Sequence, residues 1–112
     1  MGLARRSEGS VRPRMKVRWS EQALADLEEI RRFISRDSPF YAERVVDSVF
    51  QAVDRLTEHP LSGRIVPEFE NPGIRELILG SYRIVHRVRE DVILISTISH
   101  SSRLLKPEHL GG

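Results

Sequence analysis

Five side chains in this sequence have the types and spacing to handle a phosphate. Arg83 lies in the strand-like run 82–89. His100 closes the next such run, and Arg103 follows three residues later. Arg75 belongs to the preceding run, and Arg64 follows Ser62-Gly63 on a turn. A guanidinium presents a planar fork that matches two phosphate oxygens. An imidazole titrates near neutrality and can carry a proton to or from a reacting oxygen. Arg64, Arg75 and Arg83 are therefore the candidate target- or phosphate-binding residues. Arg83, His100 and Arg103 are the candidate catalytic set if the protein cleaves a nucleic acid.

Strand alternation decides whether these groups meet. It puts Arg83, Val85, Arg87 and Arg89 on one side of their strand, with Tyr82, Ile84, His86 and Val88 on the other. A two-residue turn at Glu90-Asp91 pairs Arg89 with Val92 and Arg83 with Ile98. His100 then lies diagonally beside Arg83 on the same face. A three-residue loop shifts the parity and sends His100 to the other side. The competing role for His100 is a strand-end histidine bonded to backbone. His86, inside an apolar run, is predicted to be structural, and Arg87 and Arg89 to be solvated charges that guard an edge. Trp19 and Tyr82 are predicted as core or rim aromatics.

The elements that position these residues follow from periodicity. Lys16–Trp19 is predicted as a short strand. Ser20 sits at an N-cap position before Ala23, Leu24, Leu27, Ile30 and Ile34 at helical spacing. Ser38-Pro39 restarts a helix, with proline at the first helical position, where its missing N–H has no intrahelical partner to lose. Ala42, Val45, Val46, Val49, Val53 and Leu56 mark its apolar face, and His59-Pro60 ends it. The short link predicts an antiparallel helix hairpin. Residues 60–73 carry three prolines and two glycines and are predicted as loop. Three β-branched runs follow at about 74–79, 82–89 and 92–99, with turns at Gly80-Ser81 and Glu90-Asp91. The predicted class is α+β, in the order β-α-α-β-β-β, with the helix hairpin on one face of a small antiparallel sheet. The opposite face is expected to be open or partly covered. In the tail, Leu104 and Leu105 are expected to pack before the chain frays.

A length of 112 residues fits one domain with a modest core. The domain is expected over residues 15–106, with residues 1–14 as a disordered basic arm or start-site extension, Met15 as a possible true start, and 107–112 as a tail. There are no cysteines, which excludes disulfides and thiol catalysis. The four histidines lack metal-ligand spacing, and no apolar run approaches the ~20 residues that span a bilayer. A cytoplasmic protein with no cofactor, no metal and no membrane partner is expected. The net charge of +2 hides a division: residues 20–58 hold five basic and nine acidic residues, and residues 74–106 hold six basic and three acidic. Such a dipole steers the basic side toward a polyanion or an acidic partner.

The runs VRWSEQALADLEEI, LTEHPLSGR, IRELILGSYRIVHRV and DVILISTISHSSR together resemble the RelE/ParE superfamily, over about residues 15–104. These are toxins of type II toxin–antitoxin (plasmid stabilization) systems. The resemblance implies a growth inhibitor neutralised by a cognate antitoxin, whose amphipathic segment wraps the toxin's helices and sheet. Operator DNA would be contacted only through the antitoxin. Two activities occur in the superfamily. RelE-like members are ribosome-dependent mRNA endonucleases, and ParE-like members are non-enzymatic poisons of DNA gyrase. By resemblance, Arg83 matches the nucleases' phosphate-binding arginine, while His100 and Arg103 fall near their acid/base and second-cation positions. Arg75-Glu76 stands where those nucleases carry lysines. Their C-terminal tyrosine has no counterpart here, since the only tyrosines are Tyr41 and Tyr82. The phrasing RELI…YRIVHRV is more ParE-like, so the expected target is DNA gyrase, with the ribosome and its mRNA as the alternative. A third alternative is a non-toxic module that only binds its antitoxin.

Overall fold

A computed structural model describes residues 14–111. The expectations for the basic arm fall on residues 1–13, outside the described residues. Arg14, grouped with that arm by sequence, is tied to the domain: its guanidinium donates to Thr57 Oγ1 and to Asp54 Oδ1 at 2.9 Å.

The elements are β1 (Lys16–Trp19), α1 (Glu21–Ser35), α2 (Pro39–Leu56), β2 (Arg64–Ile65), β3 (Ile74–Leu79), β4 (Tyr82–Arg89), β5 (Val92–His100) and a 3-10 turn (Pro107–His109). Both predicted caps form. The Ser20 hydroxyl accepts from the Ala23 N–H at 2.9 Å, and that of Ser38 from the Tyr41 N–H at 3.1 Å, satisfying amides that have no intrahelical acceptor. Gly80 takes φ +59°, the left-handed turn conformation that lacks a Cβ penalty.

The five strands lie in the order β1-β5-β4-β3-β2. β3, β4 and β5 form the predicted antiparallel meander. β1 joins it in parallel beside β5, so the sheet is mixed. A two-residue strand, β2, pairs with β3 inside the stretch predicted as loop. Gly63 lets the chain enter it: a Cβ there would stand 2.7 Å from the Glu76 carbonyl oxygen and 3.1 Å from the His86 ring.

The helix hairpin covers one face of the sheet. Ala23, Leu27, Val49, Ala52, Val53 and Leu56 meet Ile84, Ile93, Ile95 and Ile98 there. A second, smaller core lies on the far face, where Val66, Ile74, Val85 and Leu105 are buried with Phe69 and Leu110 against them. The far face is thus half covered, by the 66–73 loop and the C-terminal segment. Leu105 packs as expected while Leu104 stays exposed. The tail does not fray before Gly111, whose N–H donates to the Ser96 carbonyl at 3.1 Å.

The β4–β5 turn has the expected two residues, and Arg89 pairs with Val92. The pairing then slips. His86 faces Ile95 but Val85 faces Thr97, leaving Ser96 as an extra residue in β5. Such a bulge inverts the side-chain parity beyond it. It falls where β1 ends. Past Trp19, side chains take over the exposed edge of β5. The Ser20 hydroxyl donates to the Ser96 carbonyl at 2.8 Å, and Asp26 accepts from the Ile98 N–H at 3.0 Å and from the Thr97 hydroxyl.

Candidate functional site

The bulge separates the two residues that simple alternation brings together. Arg83 pairs with Ser99, and His100 pairs with Tyr82, not beside Arg83. Arg83 points to the far face of the sheet, whereas His100 lies on the helix side with its ring 5.9 Å from that of Tyr82. The predicted convergence of Arg83 and His100 does not form.

Arg83 is at the centre of an internal ion-pair knot. Its Nη1 donates to Glu76 Oε1 at 3.1 Å and its Nη2 to Glu68 Oε2. Nη2 also donates to the Arg103 carbonyl at 3.2 Å. The Arg83 side chain is 5% exposed and that of Glu76 0%. Arg64 completes the knot from β2, its Nε donating to Glu76 Oε2 at 2.6 Å while the rest of its side chain reaches solvent. Glu68 also accepts the Leu105 N–H at 3.0 Å. One carboxylate thereby joins loop, β4 and C-terminal segment. Hydrogen bonding from Arg83 holds the Glu68 carboxyl below its ordinary value, against the opposing effect of burial, and the Leu105 N–H adds to the lowering.

Of the remaining predicted residues, Arg75 lies on the helix side of β3 and clamps the preceding loop. Its guanidinium donates to the Pro72 and Gly63 carbonyls, each at 2.9 Å. His100 is exposed, and its Nδ1 accepts from the Ser102 N–H at 3.1 Å, the strand-end arrangement weighed for it above. Arg103 meets Arg83 only through its backbone. The structure therefore brings Arg64 and Arg83 to one carboxylate and leaves Arg75 and His100 on the other side of the sheet. His86 is fully buried, with Nδ1 bonded to the Ile84 carbonyl at 3.1 Å and Nε2 without a partner. Burial pushes its pKa down, the Ile84 carbonyl opposes this, and the Arg75 charge lowers it further.

An attacking hydroxyl needs a base within hydrogen-bond reach and a cation free to meet the developing charge. Arg83, already paired through both Nη atoms with Glu68 and Glu76 and left with only a buried, unpartnered Nε, does not offer that cation. The helix side offers a different kind of site. A groove of about 640 Å³ runs between the helix hairpin and the β3–β4 turn, lined by Phe33, Tyr41, Val45, Leu79, Tyr82 and His100. Phe33 is 62% and Tyr41 57% exposed, and Phe40, the residue before Tyr41 in α2, is 73% exposed. Exposed aromatics beside a groove that also carries Arg44, Ser48 and Ser81 make this a candidate protein-docking surface. Sequence reasoning missed Phe33, Phe40 and Tyr41 as surface residues. Their signal was that they fall outside the apolar stripes that bury each helix.

The sequence and the fold match those of a known protein class. The family described as the ParE toxin of the type II toxin–antitoxin system parDE matches residues 17–105. The protein Y4kP of Sinorhizobium fredii is 39% identical over 94 residues, covering 79% of this chain and 90% of Y4kP. Toxin RelE2 of Caulobacter vibrioides is 36% identical over 90 residues, covering 80% of this chain and 98% of RelE2. Among solved structures, the chromosomal ParDE system of P. aeruginosa superposes with a TM-score of 0.65 at 27% identity, over 80% of this chain and 98% of that one. The RelBE2 toxin–antitoxin complex of Mycobacterium tuberculosis shares the fold, with a TM-score of 0.54 at 22% identity over 78% of this chain and 98% of that one. The chain belongs to the ParE toxin family, within the RelE/ParE superfamily, and is a toxin of a type II toxin–antitoxin system.

Proposed function

We propose that this toxin arrests growth as a ParE-like, non-enzymatic poison of DNA gyrase in the cytoplasm. Its cognate antitoxin would neutralise it by laying an amphipathic segment into the groove lined by Phe33, Tyr41 and Tyr82, and would alone contact operator DNA. The observation that carries the target reading is the state of Arg83. The guanidinium that a RelE-like nuclease would turn toward a phosphate is enclosed by Glu68 and Glu76, and His100 lies across the sheet from it. A protein that acts by docking needs no free base and cation pair, and the aromatic-lined groove suits helix-in-groove recognition.

Expression of the chain without antitoxin, with DNA-damage response and ribosome-bound mRNA integrity followed together, tests this reading. The expected result is growth arrest with DNA damage and intact mRNA. Codon-positioned cuts that vanish in Arg83→Ala and His100→Ala would instead establish the ribonuclease, and unimpaired growth would establish a module that only binds its antitoxin.

A further inference from the structure

The far face of the sheet is covered over β3 and part of β4, and the C-terminal segment reaches β5 at Ser96. On its other half, the register aligns two rows across β1, β5 and β4: Arg18–Leu94–Arg87 and Lys16–Val92–Arg89. Val17 and Trp19 of β1, and Ile93 and Ile95 of β5, pack toward the helices, so their alternates share the far face. Each row is a cation, an aliphatic side chain and a cation. The two rows together make a pair of basic rails, one on β1 and one on β4, with an aliphatic floor between them. A cleft of about 240 Å³ lies there, lined by Arg18, Arg87, Arg89, Val92 and Leu94, with Glu90 at its end.

Three of the four cations on these rails, Arg18, Arg87 and Arg89, have no ion-pair partner among the described residues. Lys16 reaches Asp91 only at 4.0 Å. Arg87 Nε is buried and without a hydrogen-bond partner. Leaving such a group unmade in the free protein is unfavourable, and an arriving acceptor relieves it.

We propose that this half-face docks an acidic amphipathic helix of a partner protein. The rails stand two strand spacings apart, roughly 9.5 Å. An α-helix with its side chains is about 10–12 Å wide. A helix lying along β5 would set an apolar stripe on Val92 and Leu94, with glutamates or aspartates on both flanks reaching the rails. Helix on sheet is also the ordinary way an open sheet face is covered. A nucleic acid fits less well, because the cleft lining holds no aromatic side chain for base stacking and Glu90 closes one end. The chain's own residues 1–13 carry three arginines against one glutamate, the wrong sign to occupy it. This site lies on the side of the sheet opposite the Phe33–Tyr41 groove and does not depend on the gyrase reading.

The test uses the full chain and three labelled probes followed by fluorescence anisotropy. One is a helical peptide with a leucine stripe flanked by glutamates, the second the same peptide with lysines for glutamates, and the third a single-stranded oligothymidylate. The glutamate probe is expected to bind, to weaken as salt rises, and to lose about tenfold or more in affinity in Arg18→Glu/Arg89→Glu. These two side chains are exposed, so that variant keeps its fold, checked by the urea midpoint. Tyr41→Ala should leave this binding unchanged. Absence of glutamate-probe binding, binding equal to that of the lysine probe, or binding lost in Tyr41→Ala but not in the rail variant overturns the proposal. Tighter binding of the oligothymidylate through the same rails overturns it in favour of a polyphosphate ligand.

Discussion

Replacing Arg83 by methionine tests whether that arginine is structural or a hand held out to a ligand. In the fold it is 5% exposed and held by Glu76, itself 0% exposed, and by Glu68 at 14%. Arg83→Met leaves the buried Glu76 with Arg64 alone, whose side chain is 59% exposed. Breaking one side of a buried pair destabilises by about 3–5 kcal/mol. A domain of this size has roughly 5–15 kcal/mol in all. The single variant should therefore lose a large share of its stability, and its unfolding midpoint should fall by at least about 10 °C. Glu76→Met should behave similarly, since it strips Arg83 of its most buried partner. The paired replacement Arg83→Met/Glu76→Met removes both buried charges, and it should recover most of the loss. Urea denaturation followed by the fluorescence of Trp19, which packs on Phe50 at the helix–sheet boundary, reads all four proteins. If Arg83 is structural, growth inhibition follows stability and returns in the double variant. A folded Arg83→Met protein within about 1 kcal/mol of the parent that has lost its toxicity would refute the reasoning and return Arg83 to the site.

Other perturbations follow from the same structure. Leu105→Ala, which opens the small far-face core, should cost about 2–4 kcal/mol and loosen the C-terminal segment, seen as faster amide exchange at Leu105 and Gly111. Acidification should act in two windows. His86 has a folded pKa below its ordinary 6.5, so the unfolded chain binds its proton first, and stability falls as pH drops below about 6.5. Glu68 is likewise depressed below 4.5, so its contribution is present above that pH and is lost as pH falls through its folded value. Urea midpoints measured from pH 8 to pH 3, with His86→Phe and Glu68→Gln as comparisons, should show each variant flattening its own window. Phe33→Ala/Tyr41→Ala, at exposed groove positions, should leave the urea midpoint nearly unchanged while weakening antitoxin binding by about tenfold or more, measured by titration calorimetry.

Local chemistry made most of the scaffold legible. Ser20, Ser38 and Pro39 mark helix starts through capping, and the alternation in β3, β4 and the first half of β5 follows from burying one face. Even the Arg89–Val92 pairing was readable from turn length. The bulge at Ser96 was not. It coincides with the end of β1 at Trp19, past which Ser20 and Asp26 satisfy the edge of β5, and those contacts span 71 to 76 positions in sequence. A polar Ser96-Thr97 step inside an apolar run was the local trace of it. The same slip carried His100 away from Arg83. The carboxylates that close on Arg83 stood 7 and 15 residues away, one in a stretch that looked like plain loop. Sequence shows that an arginine sits among apolar neighbours; it does not show whether its partner is internal or a ligand. The exposed aromatics of the groove and the paired rails of β1 and β4 likewise appear only once the elements are set side by side.

The proposed action of this toxin is docking on gyrase, without cleavage of RNA. The most direct measurement is a supercoiling assay in which purified DNA gyrase and relaxed plasmid are titrated with the full chain. Docking predicts a dose-dependent loss of supercoiling that persists in the stable Arg83→Met/Glu76→Met protein and is reversed by antitoxin. Undiminished supercoiling at every concentration of a folded, growth-arresting protein would contradict it.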